Sequence, residues 1–145
     1  MFELYFDKFD ILCLQETFGL FTSELKEIIV TYGQKAGFLY HAPVDLDRPL
    51  NHSLFIADSG LTIMSRFPIV EHDFQQFSLG VFDDGESQCG TLYAKIEITQ
   101  GKFVQVFNSH LMCTNYNYSA EFLALSRQIR DNSIKELSDF MMTKV

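Results

Sequence analysis

Tryptophan is absent, proline occurs three times, and lysine and arginine together number 11 against 19 aspartates and glutamates. The resulting charge of −8 argues against a protein that grips nucleic acid by bulk electrostatics, because phosphate-backbone binding normally shows a basic stripe. It leaves open a metal-assisted chemistry on phosphate, in which a cation neutralises acidic ligands. Cysteine is scarce too. Cys13, Cys89 and Cys113 are odd in number and far apart, with no C-x-x-C pair, so neither a disulfide framework nor a zinc site is expected. No apolar run approaches the roughly 20 residues of a membrane helix. Glu3 and Asp7 stand where a signal peptide would be basic. These absences favour a cytoplasmic, reducing setting and leave the oligomeric state open. What is abundant is apolar: 47% hydrophobic residues with 15 phenylalanines among 145 positions exclude disorder and supply one core. Residues 1–145 therefore read as one domain, whose core strand begins almost at Met1 and whose last helix stops at Val145. Both ends look abrupt, as in a partial domain.

Ile11-Leu12-Cys13-Leu14 is a short apolar run that ends at Gln15-Glu16, the pattern of a central strand buried on both faces. Phe21, Leu25, Ile28, Ile29 and Tyr32 then recur at helical spacing, with Thr22 or Ser23 as a cap and Gly33 as a stop. Phe38-Leu39-Tyr40 predicts a short strand, and 42–59, with Pro43 and Pro49, predicts a loop. Strand character resumes at 61–65 and is broken by Pro68, after which 69–77 can pair as an antiparallel neighbour. Leu92, Ala94, Ile96 and Ile98 alternate with Thr91, Tyr93, Lys95 and Glu97, a half-buried strand; Gln100-Gly101 turns it into a hairpin with 103–111. Ser119 predicts the cap of a final helix whose stripe includes Phe122, Leu125, Ile129, Leu137, Phe140 and Met141. This order implies an α+β fold with mixed pairing.

Two positions are candidates for chemistry. Glu16 lies just past a strand end, where α/β sheets gather ligands, and a hard cation such as Mg²⁺ takes carboxylate oxygens; most strand-end glutamates are simply solvated. His110 follows a second apolar strand two residues after Asn108, which puts both side chains on one face. A histidine there can hydrogen-bond a phosphoryl oxygen or move a proton, or merely satisfy a carbonyl.

Four segments together, in order, carry a family resemblance. Phe9-Asp10-Ile11-Leu12-Cys13-Leu14-Gln15-Glu16 resembles a "DILCLQE" strand, and 59–70, Ser-Gly-Leu-Thr-Ile-Met-Ser-Arg-Phe-Pro-Ile-Val, resembles "GLAILSRFPI". Gly90-Thr91-Leu92-Tyr93-Ala94-Lys95-Ile96 resembles "KGxLYAKI", and Val106-Phe107-Asn108-Ser109-His110-Leu111 resembles "VFNTHL". The family is the endonuclease/exonuclease/phosphatase (DNase-I-like) superfamily, and the look is that of its neutral sphingomyelinase-type phosphodiesterases. The resemblance implies an αββα four-layer sandwich of two mixed sheets, here incomplete, and a Mg²⁺-dependent phosphoester hydrolase. Carried over, Glu16 is a Mg²⁺ ligand with Gln15 beside it, and His110 is a catalytic histidine supported by Asn108. Arg66 and Tyr93 are candidates to contact substrate, with a strand-end arginine and a packing tyrosine as the plain alternatives.

The sequence departs from the family in three places. It has no histidine after His110 to form the distal Asp-His pair, no Asp-x-Asn after that point, and no room for an asparagine-bearing strand before Phe9. A fragment lacking part of the active site is therefore the expectation. Gln88-Cys89 also stands where the lipases have Asp-Lys. The expected partner is a phosphoester substrate, phospholipid or nucleic acid. The alternatives are a nuclease of the same superfamily, or a degenerate, non-catalytic domain acting as a binding module. A Cys113–His110 hydrolase is disfavoured, because residues three apart on an extended segment face opposite sides.

Overall fold

A computed structural model of the chain describes residues 8–17, 24–43, 60–78, 89–112 and 119–145. Within them lie β1 (Ile11–Leu14), α1 (Glu24–Lys35), β2 (Tyr40–Pro43), β3 (Thr62–Ser65), β4 (Ile69–Gln76), β5 (Gly90–Thr99), β6 (Lys102–His110) and α2 (Ala120–Met142). The strands form two three-stranded sheets, ordered β1-β3-β2 and β4-β5-β6. Every pairing between the described strands is antiparallel, where mixed sheets were expected. The reason is that β3 lies between β1 and β2, so these two run the same way without touching.

The sheets face each other across a core of Ala42, Leu61, Ile63, Leu92, Ala94 and Ile96, all fully buried. β3 lies over β5 and β2 over β4, which brings β1 alongside β6. The outer face of the first sheet meets α1, where Gly33 presses on the Met64 side chain; the outer face of the second meets α2. The layering is therefore α, β, β, α, as expected.

Several local expectations shift. β1 is an edge strand of the described sheet rather than a central one, and Cys13 is exposed. Ile28 and Tyr32 face outward; the inner side of α1 runs through Ile29, Val30 and Gly33 instead. Gly33 does not stop that helix. Gly37 does, at φ 92: its N–H donates to the Gln34 carbonyl while that of Phe38 donates to the Gly33 carbonyl, the paired bonds of a Schellman end, with Phe38 fully buried. The caps proposed at Thr22 and Ser23 lie outside the described residues, as does most of the 42–59 loop. β4 pairs with β5 and not with β3, because residues 66–68 carry the chain from one sheet to the other. The β5–β6 hairpin turns at Gln100-Gly101, with Gly101 at φ 72, and Ser119 caps α2 by accepting from the Phe122 N–H.

Candidate functional site

β1 ends at Leu14, and the next three residues form an elbow. Glu16 takes φ 58, the only positive φ of a non-glycine among the described residues. A left-handed conformation costs an L-residue about 1–2 kcal/mol, so the surroundings must hold it. On one side Gln15 donates its side-chain N–H to Asn108 Oδ1 (2.5 Å). On the other, Thr17 donates both its backbone N–H (2.9 Å) and its hydroxyl (2.8 Å) to the Gly60 carbonyl.

Asn108 comes from β6, in the opposite sheet. Its amide nitrogen donates to the carbonyls of Leu14 (2.8 Å) and Thr62 (3.1 Å), while its oxygen accepts from Gln15. At 3% exposure this amide is buried with both of its N–H donors used, so it aligns the groups around it. Two of its partners, Leu14 and Thr62, lie in β1 and β3, so this side chain bonds to both neighbouring strands of the facing sheet.

Two residues on, and on the same face, His110 brings Nε2 to 3.7 Å from Glu16 Oε1. The imidazole is about a third exposed and the carboxylate 71%, so both open to solvent at the rim between the sheets. Gly90 pairs with His110 across the ladder. A Cβ at Gly90 would lie inside the contact distance of the Gln75 carbonyl and the Phe74 ring; the strand end that carries His110 can therefore close only around a glycine.

Glu16, Gln15, Asn108 and His110 thus converge as the sequence pattern places them. Arg66 and Tyr93 do not join them. Arg66 follows the far end of β3: Thr62 pairs with Leu14 beside the site, but Ser65 pairs with Ile11. Four residues of strand put it on the order of 13 Å away. There its guanidinium stacks over Phe38 at 4.5 Å and donates to the Phe9 carbonyl, a packing role. Tyr93 is 1% exposed and lies on the opposite face of β5, against Phe107 and Phe140 and under the Lys144 ammonium. The alternation of β5 suggested a polar outer face; α2 covers it, and burial pushes the Tyr93 phenol up. Thr17 and Gly60 are the residues that sequence reasoning missed. Only the threonine directly after the carboxylate marks them, and that is a faint signal.

Magnesium fits the donor set in part. Mg²⁺ keeps several waters and is bound through one or two carboxylates together with substrate oxygens. Glu16 offers one exposed carboxylate. The Gln15 amide nitrogen is spent on Asn108, so its carbonyl oxygen is the end left to act as a second hard donor. Among the described residues no group of three or more His, Cys, Asp or Glu side chains gathers around them.

No family model matches the chain. A sphingomyelinase of Dictyostelium discoideum is 34% identical over 114 residues, which is 74% of this chain and 24% of that protein. A phospholipase C of Staphylococcus aureus is 36% identical over 87 residues, 60% of this chain and 25% of that one. Among solved structures, a mutant of the Staphylococcus aureus beta toxin with bound magnesium ions superposes with a TM-score of 0.80 at 28% identity, covering 97% of this chain and 49% of the toxin. An endonuclease/exonuclease/phosphatase family protein of Leptotrichia buccalis shares the fold, with a TM-score of 0.51 at 12% identity over 88% of this chain and 51% of that one. The chain spans about a quarter of the length of these curated relatives and about half that of the solved structures.

Proposed function

We propose, from the premise that this chain has the endonuclease/exonuclease/phosphatase fold with a sphingomyelinase-type resemblance, that it supplies the Glu16–His110 part of a Mg²⁺-dependent phosphodiesterase site. The observation that carries this reading is the convergence of two side chains from two sheets, 3.7 Å apart, on a backbone held in a costly conformation. Strain of this kind persists where the surroundings over-determine it, and it clusters at functional sites.

Bound magnesium supplies charge that stabilises the phosphoryl oxygens. Glu16 holds that ion and Gln15 lends its amide oxygen. His110, open on one side, donates a hydrogen bond to a phosphoryl oxygen as charge builds there. Asn108 fixes the separation of the two groups by anchoring β6 to β1 and β3. The remaining parts of a complete site, above all a base for the attacking water, come from beyond these residues. The substrate class proposed is a phosphocholine-type phospholipid, on the resemblance to sphingomyelinase and phospholipase C; the charge of −8 counts against nucleic acid.

The test is Mg²⁺ titration of this chain by calorimetry, together with phosphocholine release from sphingomyelin vesicles by a polypeptide that joins this chain to the remaining parts of the site. The expected result is Mg²⁺ binding that Glu16→Gln removes, and turnover that His110→Ala lowers without unfolding the protein. Unchanged Mg²⁺ binding in Glu16→Gln refutes the metal role. Cleavage of nucleic acid with no phosphocholine release refutes the lipid substrate.

A further inference from the structure

We propose that Thr17 is a positioning residue for the Glu16 carboxylate, acting with Gly60 as a latch; this rests on the metal role of Glu16 given above. The direction in which a side chain leaves the backbone is set by the two peptide planes that flank it. At Glu16 those planes are tied down separately, the first through Gln15 to Asn108 and the second through Thr17. Only the second has two bonds on a single acceptor. The Thr17 N–H and hydroxyl both end on the Gly60 carbonyl, and the Thr62 hydroxyl lies 3.0 Å from Thr17 Oγ1. With the Thr17 hydroxyl donating to Gly60, the Thr62 hydroxyl donates to Thr17, and the three groups form one directed chain.

Thr17 is 5% exposed and Thr62 fully buried, so water cannot replace these bonds when they are lost, and an unpaired partner costs about 1–3 kcal/mol. That range matches the cost of the left-handed turn at Glu16. The latch is thus of the right size to hold the turn, and without it the turn is free to relax to negative φ. Such a relaxation swings the Cα–Cβ bond of Glu16 to a new direction and takes the carboxylate from His110. Gly60 is itself left-handed, at φ 60, immediately before Leu61 and the start of β3. Its conformation aims the carbonyl at Thr17. Two left-handed residues, one in each flanking segment, therefore face each other across the latch.

The experiment compares Thr17→Val and Thr17→Ser in the full chain, titrating with Mg²⁺ alone and measuring urea unfolding in parallel. Valine keeps the shape and loses the hydroxyl; serine keeps the hydroxyl. Thr17→Val is expected to weaken Mg²⁺ binding about tenfold, equivalent to about 1.4 kcal/mol, while Thr17→Ser stays within about twofold. Thr62→Val buries the same extra methyl next door without cutting the tether to Gly60, and it too is expected to stay within about twofold. If Thr17→Val does not fold, Thr17→Ala removes the same hydroxyl from a smaller side chain and is expected to show the same loss. Wild-type Mg²⁺ affinity in the valine or alanine variant, with binding lost in Glu16→Gln, overturns the latch and leaves the metal role standing. Equal losses in serine and valine also overturn it. Mg²⁺ binding untouched by Glu16→Gln overturns both.

Discussion

Glycine at position 16 should stabilise the protein relative to alanine, the reverse of the usual order. Both substitutions delete the carboxylate and its approach to His110, so their difference reports the backbone alone. Alanine at φ 58 retains a Cβ that crowds the following carbonyl, costing about 1–2 kcal/mol, a penalty that glycine escapes. Against this, glycine gives the unfolded chain more freedom, worth about 0.5–1 kcal/mol in favour of alanine. The balance is about 0–1.5 kcal/mol in favour of Glu16→Gly. Asp10, which precedes β1 and has no positive φ, supplies the control, because there Asp10→Ala should exceed Asp10→Gly by about 0.5–1 kcal/mol. The swing between the two positions is therefore about 1–2 kcal/mol, well within reach of urea unfolding monitored by circular dichroism. If the difference between alanine and glycine is the same at position 16 as at Asp10, the strain ascribed to this elbow does not exist, and the inference from strain to function falls with it.

Gly90→Ala should destabilise by about 2 kcal/mol or more, since the added carbon meets backbone as well as the Phe74 ring; chemical denaturation checks this, and a neutral result would show that the strand end has slack. Lys144→Met should cost about 1 kcal/mol by removing the ammonium from Asp73 (2.8 Å) and Glu71 (3.7 Å) while leaving an apolar stem against Tyr93 and Phe140. The hydrogen bond to Asp73 raises the Lys144 amine above its ordinary 10.5. A raised amine contributes fully below its unfolded value and loses its contribution as pH rises through the folded one. The gap between wild type and Lys144→Met should thus be flat at neutral pH and close above about 10.5, as followed by thermal melts across pH. Arg66→Met should leave Mg²⁺ affinity and any turnover unchanged, since the side chain packs on Phe38 at the far end of β3; a drop in either would return Arg66 to the site.

The sequence was most legible where local chemistry and pattern agreed. The apolar run before Gln15-Glu16, the alternation leading into Gln100-Gly101 and the serine before α2 each signal their structure through neighbouring residues. Asn108 and His110 were readable as a pair because strand periodicity alone puts them on one face. For Tyr93 both readings stood open, because alternation distinguishes two faces and does not tell which faces another helix covers. Arg66 could not be placed from the motif alone, because a motif gives order along the chain, whereas β3 runs away from the Glu16 end that its own first residue touches. The elbow was the least visible feature: nothing in the propensity of Glu16 announces a left-handed residue, and the bonds that hold it span more than forty positions.

Asn108 has a consequence beyond its own hydrogen bonds. Glu16 belongs to one sheet and His110 to the other, so the gap between them is a reading of the core's thickness. The small side chains of Ala42 and Ala94 lie in that core, acting as shims between two plates. Enlarging either would pry the plates apart at their middle and open the jaws at the rim, so the distance between Glu16 and His110 depends on two buried alanines of the core.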